Sequence, residues 1–352
     1  MLPFRLVYHE RYDLHFGEHV FPSKKFKWLH DRMLWTRFAV KEDFVAPAPA
    51  TDDDLLLAHD RAWIEKLSNG TLSYQEILQL EVPYSRYLVE GFWLAAGGSM
   101  LAARLALEDG IGYNLGGGFH HACPDHGEGF CAINDIAVAV RRAQRDGLIE
   151  RAMVVDCDVH HGNGTAAIFA GDTSVFTLSI HQFNNYPAEK PPSSLDIHLA
   201  DGVADDEYLN RLGSGYRPAL KMFRPELILY VAGADPYFGD QLGGLSLSFE
   251  GLRERDRLVI RAALEEGVPV AIVLAGGYAQ SVEDTVTIHA NTAEVAKEEL
   301  EKVGYRRYRS SRLSGPDGPG WCAGKPRREL YEKNPAEALA SAGPRRSSLT
   351  LY

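Results

Sequence analysis

Two carboxylates and an imidazole stand on alternate residues in Asp156-Cys157-Asp158-Val159-His160, and a tandem pair, His120-His121, precedes them. The run Ala152-Met153-Val154-Val155 is apolar and β-branched and reads as a buried strand. Side chains alternate across a strand, so Asp156, Asp158 and His160 are expected on one face at its C-terminal end. Open α/β sheets place their ligands outside that end. Two carboxylates on one buried face repel unless a proton or a cation intervenes, and a bound divalent metal is the simplest resolution. A purely structural role, with the carboxylates capping loops or pairing with arginines, is the alternative.

Four more motifs have the composition of a site. Gly116-Gly117-Gly118-Phe119-His120-His121 follows the strand Tyr113-Asn114-Leu115, and its glycines allow a tight turn and close approach to a ligand. It lacks the spacing and the ribose-binding acid of a dinucleotide fingerprint. Ala232-Gly233-Ala234-Asp235-Pro236 puts an acid just beyond a strand, although an Asp before Pro is also a common turn residue. Ala275-Gly276-Gly277-Tyr278 presents a tyrosine in the same way, and alone that tyrosine would read as packing. Gly127-Glu128-Gly129-Phe130-Cys131 offers an aromatic that either lines a cleft or fills the core.

These motifs need elements to hold them. Short apolar runs at 6–8, 153–155, 175–180, 227–231 and 268–274 alternate with helical patterns at 133–145, 205–221, 249–265 and 282–303. Such alternation predicts an α/β fold, a mostly parallel sheet with helices on both faces. The helix-rich stretch 26–108 has no linker that would make it a separate domain and is expected to wrap one side of the sheet. The stretch from Gly91 to Leu107 holds Arg104 and three glycines, so it reads as a core helix and not a membrane span. The motifs then converge on one rim of the sheet.

The 352 residues carry a net charge of −11, which argues against nucleic-acid binding by the whole surface. Residues 304–352 hold 10 Lys and Arg against 4 Asp and Glu, so the first 303 residues carry −17. That basic, Ser/Pro/Gly-rich segment reads as a poorly ordered tail behind a domain spanning 1–303. Four cysteines, Cys123, Cys131, Cys157 and Cys322, form no C-x-x-C pair and suit a reducing compartment. Met1-Leu2-Pro3-Phe4-Arg5 leads into a strand without the pattern of a signal peptide, so a cytoplasmic setting is expected.

Taken together, GGGFHHA, GEGFCAINDIAVA, DCDVHHGNGT, LSIH, AGADP and AGGY resemble the zinc-dependent histone deacetylase family. The resemblance runs over about residues 6–303, with the motifs in family order. His161-Gly162-Asn163-Gly164, the stretch Gly239-Asp240-Gln241-Leu242-Gly243-Gly244-Leu245-Ser246 and the N-terminal Tyr8-His9-Glu10-Arg11-Tyr12 look most like the class IV branch and its bacterial relatives. The resemblance implies a single-domain arginase/deacetylase-like fold and an amidohydrolase activity.

It also implies roles. Asp158, His160 and Asp235 would hold the metal, zinc first and iron(II) as the alternative. His121 would be the general base for the attacking water and the acid for the leaving amine, and His120 would assist electrostatically. Asp156 would accept a hydrogen bond from His120, and Asn163 would orient His121 without the charge an Asp would bring. Tyr278 would donate to the developing oxyanion. Phe130, Tyr186, Gly129 and Leu242 would line the acyl-lysine channel. A structural potassium ion would sit on the carbonyls of Asp156, His160 and Ile180, the Asp158 carboxylate and the Ser179 hydroxyl. The expected substrate is an acyl-lysine protein carrying acetyl or longer chains, or else a small acylated amine such as an acetylated polyamine. A non-catalytic acyl-lysine binder would be expected to have lost one of these groups. A binuclear arginase-type hydrolase would need a richer Asp/His set.

Overall fold

The computed structural model describes residues 1–15 and 17–303, and the basic tail expected at 304–352 lies outside the described residues. Among the described residues eight strands form one sheet: β1 (Arg5–Val7), β2 (Phe44–Val45), β3 (Ile111–Asn114), β4 (Ala152–Asp156), β5 (Val175–Gln182), β6 (Leu195–Leu199), β7 (Leu227–Val231) and β8 (Val270–Val273). Their order is β2-β1-β3-β8-β7-β4-β5-β6, and every neighbouring pair is parallel. The central strands are buried along their whole length, which is why they read as continuous apolar runs and not as alternating ones.

Chain order and spatial order differ in a way that makes the site. β7 and β8 are inserted between β3 and β4. The segments that follow β3, β8, β7 and β4 therefore lie side by side at the C-terminal edge, and four of the motifs stand there. Ligand crevices of open α/β sheets form at such edges.

Ten α-helices among the described residues flank the sheet. α1 (Lys25–Trp35), α2 (Asp52–Leu55), α3 (Arg61–Asn69), α4 (Tyr74–Leu80) and α5 (Arg86–Asp109) come from the first third; α6 (Asp135–Arg145), α7 (Asn163–Ile168), α8 (Asp205–Phe223), α9 (Phe249–Glu265) and α10 (Val282–Val303) follow. Side-chain caps start three of them: Ser85 for α5, Asn134 for α6 and Ser248 for α9 each accept a backbone N–H of the first turn. α5 packs on β3, β8 and β1 and against α6, whereas α1 packs on α10, and α10 on α9. The first third thus divides between two helical layers and does not wrap one side. Its apolar helix α5 is a core helix, and no helix among the described residues is long and apolar enough to cross a membrane.

The pattern places β7, α9 and α10 at their observed bounds. β6 and the two-residue β2 were not expected. Leu195-Asp196-Ile197-His198-Leu199 is half-exposed at the sheet edge and carries two polar residues, so it lacks the apolar run that marks the inner strands.

Candidate active site

β4 ends at Asp156, and the chain then folds on its own carboxylates. Cys157 N still donates to Val231 O, at 3.0 Å, but Asp158 N donates to Asp156 Oδ1 at 3.1 Å and His160 N to Asp158 Oδ1 at 3.0 Å. Such Asp-to-backbone bonds replace the ladder with turns. Only Asp156 is on the strand; Asp158 and His160 stand in the loop beyond it. The expectation of three side chains on one strand face is corrected on this point, and the turns bring them together instead.

Asp158, His160 and Asp235 each offer a ligand atom within 4.8 Å of the other two, and all three are buried. His160 Nδ1 lies 3.0 Å from Asp158 Oδ1 and 3.5 Å from Asp235 Oδ2. Asp235 Oδ1 accepts from Val159 N at 2.8 Å, while its Oδ2 is buried with no hydrogen-bond partner. An orphaned carboxylate oxygen facing a second carboxylate is an acceptor that a cation would satisfy. Burial and then the Asp158 charge push the Asp235 carboxyl up to about 7, so the pair resists carrying two charges unaided. The backbone makes room for an ion: a Cβ on Gly276 would come within 1.9 Å of Asp235 Oδ2 and 2.6 Å of Asp158 Oδ2. The donor set and the space both fit a divalent metal.

The tandem histidines sit in the segment after β3. His120 Nδ1 lies 2.7 Å from Asp156 Oδ2, and His120 Nε2 is 3.7 Å from Asp158 Oδ1. Burial opposes charge on His120, but Asp156 and Asp158 outweigh it and push its pKa up to about 9. His121 Nδ1 lies 2.7 Å from Asn163 Oδ1, at the start of α7. Burial first, and then the neighbouring His120 and His160, hold His121 well below the usual histidine range, so it is neutral. Asn163 Nδ2 in turn donates to Glu128 Oε1.

Aromatics close a slot over these groups. Tyr278 and Phe130 meet edge-to-face with ring centroids 6.0 Å apart, and Tyr186 is 4.9 Å from His121. Gly129 has φ +52°, and a Cβ there would strike His121 and Tyr186 at 2.8–2.9 Å. A narrow cleft, with room for little more than a water molecule, is lined by Phe130, Tyr278, the two histidines and the glycines of the β3 and β8 loops. Leu242 is half-buried in a loop pinned by Asp240 and by Asn185, which donates to Leu242 O at 2.8 Å. Ser179 and Ile180 lie on β5, with Ser179 in register with Asp156.

Several residues that hold the site were not anticipated. Asp135 accepts from Gly118 N and Phe119 N and so anchors the triple-glycine loop. Lys25 is buried and donates to Ala275 O at 2.7 Å and Gly276 O at 3.1 Å; desolvation lowers its pKa to about 8. Asp240 accepts from Tyr278 N at 2.6 Å and from Leu242 N and Gly243 N at 2.8 Å. Arg255 of α9 reaches Cys157 O and Gly233 O. The cap Asn134 before an apolar run was a signal for Asp135; nothing local marks Lys25 or Arg255.

The chain is similar to known proteins over most of its length. The profile of the histone deacetylase domain matches residues 19–293. An uncharacterized protein of Picosynechococcus sp. is 40% identical over 296 residues, covering 84% of this chain and 99% of its own length. Histone deacetylase 2 of Arabidopsis thaliana is 32% identical over 289 residues, 78% of this chain and 75% of that protein. The crystal structure of the HDA15 HD domain shares the fold, with a TM-score of 0.72 over 85% of this chain and 93% of that one at 24% identity. With most of its length inside the domain and an Asp/His/Asp cluster at the rim of a parallel sheet, the chain belongs to the histone deacetylase family, generally metal-dependent hydrolases of amide bonds.

Proposed function

We propose that this deacetylase is zinc-dependent and removes acetyl or longer acyl groups from lysine side chains. The observation that carries the reading is the orphaned Asp235 Oδ2 beside Asp158 and His160, at the foot of a slot walled by Phe130, Tyr186 and Tyr278. Asp158, His160 and Asp235 would hold the ion, and the same donors suit iron(II). Bound there, the metal would polarise the scissile carbonyl and acidify the attacking water.

The protein's own residues divide the remaining work. His121 Nδ1 is held by Asn163 Oδ1, which leaves Nε2 as the basic nitrogen. At that atom His121 takes the proton of the attacking water and returns it to the leaving amine. His120, kept charged by Asp156, stabilises negative charge as it develops. Tyr278 donates its hydroxyl to the oxyanion. Phe130 and Tyr186 grip the acyl-lysine stem, Gly129 gives its backbone to the substrate, and Leu242 lines the outer channel. We assign a structural potassium to the carbonyls of Asp156, His160 and Ile180, the Asp158 carboxylate and the Ser179 hydroxyl; the Asp156–Ser179 register supports it.

A small acylated amine is the second reading. Glu81 and Glu128 both act electrostatically on Tyr186, and burial and then Glu128 raise the Glu81 carboxyl, so a cation is favoured there. A panel of acetyl- and long-chain acyl-lysine peptides and N-acetylated polyamines, assayed with wild type and Tyr278→Phe, separates the two. Turnover of one class falling on the order of 100–1000-fold in Tyr278→Phe is the expected result. Turnover that ignores Tyr278, or none at all with metal bound, contradicts the reading.

A further inference from the structure

A second group of side chains has metal-binding chemistry that the deacetylase reading leaves unused. β5 and β6 pair with Ser179 opposite Asp196 and His181 opposite His198. Residues two apart share a strand face, so Ser179, His181, Asp196 and His198 lie together at the C-terminal end of the sheet edge. His161, next in the chain to His160, completes the group: its Nε2 is 3.1 Å from Asp196 Oδ1, and its ring centroid is 4.6 Å from that of His181. His181 Nε2 is 2.9 Å from His198 Nδ1, and Ser179 Oγ bonds His181 Nδ1 at 2.9 Å.

The spacing suits an ion. One donor atom from each of His161, His181 and Asp196 lies within 4.8 Å of the other two. Ligands bound tetrahedrally at ~2.0–2.1 Å stand ~3.3 Å apart, so shifts of about 1 Å would close a shell. His161 and His181 are fully buried, and His161 Nδ1 has no hydrogen-bond partner. Three imidazoles and one carboxylate favour a borderline cation of the zinc class over magnesium or calcium. His198 is exposed, which gives an ion a way in.

We propose that His161, His181, Asp196 and His198 bind a second divalent cation of the zinc class, in a closed site of structural type. His161 N donates to Tyr186 O at 3.3 Å, so the ion ties edge strand β6 to the loop bearing Tyr186. Only that consequence rests on the deacetylase reading; the binding does not.

The test uses the full chain, stripped by chelator and titrated with Co2+ in potassium buffer. It reads bound metal per chain and the ligand-field spectrum. Two equivalents are expected for wild type and one for His198→Ala or Asp196→Asn. Asp235→Asn should also bind one, and that ion should be lost in the Asp235→Asn/His198→Ala double variant. No bound Co2+ in wild type, or one equivalent that is lost in Asp235→Asn, overturns the proposal. So do two equivalents that survive both His198→Ala and Asp196→Asn, which would put the ion elsewhere, as on Cys123, His126 and Glu128. The exposed His198 can be removed without opening the core. Acyl turnover by wild type tests the deacetylase reading separately, so each can fail alone.

Discussion

Glu128 decides which end of the Asn163 amide faces His121. A carboxylate only accepts, so Asn163 turns its Nδ2 to Glu128 and its Oδ1 to His121 Nδ1. His121 then carries its proton on Nδ1 and leaves Nε2 free. Glu128→Gln can also donate, which lets the amide turn over and spoils the tautomer. We expect kcat to fall on the order of 10-fold with KM little changed, as for other partners that orient a catalytic group. Asn163→Asp sets a carboxylate beside His121, which raises its pKa. The acid limb of the pH–rate profile should then move to higher pH, and a limb that stays in place contradicts the role given to His121. His120, His121, Asp158, His160, Asp235 and Tyr278 were all legible, since each follows a strand in a glycine- or Asp-marked segment. Glu128 and Asp240 were legible only as motif spacers, because their partners lie 35 and 38 residues away.

At the scale of elements, the inner strands announce themselves and the ligand loop does not. Leu227–Val231 is five buried apolar residues, and its bounds follow from the sequence. Asp156 to His160 alternates like a strand yet turns, because each carboxylate captures a backbone N–H two residues on. α9 then fixes that loop from below. Arg255 is fully buried, donates to Cys157 O at 3.3 Å and Gly233 O at 2.5 Å, and pairs with Asp256 at 2.8 Å. One guanidinium thus spans the loops that carry Asp158 and Asp235. Arg255→Lys keeps the charge and loses the fork. It should weaken metal binding about 10–100-fold, the range for outer partners of ligands, as read by chelator competition. Arg255→Leu strands the Asp256 carboxylate and should cost about 3–5 kcal/mol in denaturant unfolding. Unchanged metal affinity in Arg255→Lys would show that α9 only packs.

For the molecule as a whole, the parallel sheet was legible from strand–helix alternation, but its order was not. Insertion of β7 and β8 between β3 and β4 depends on long-range pairing that no local pattern encodes, and it is what draws the motifs to one edge. Charge is the property that sequence states outright. The first 303 residues carry −17, and Glu81 and Glu128 place part of that charge beside the slot. Polyamines are cations, and so is a peptide whose acyl-lysine is flanked by free lysines. A negative field raises the encounter rate of a cation, and salt removes the gain as the screening length shrinks from ~30 Å at 0.01 M to ~8 Å at 0.15 M. Over that interval kcat/KM for a cationic acyl-lysine peptide should fall about 3–10-fold, the low end for steered association. A neutral acylated substrate should change little, because the chemistry in the buried slot is shielded from salt. A fall shared equally by both substrates would locate the effect in the site or its ions; no fall in either would leave the acidic surface without a part in substrate capture.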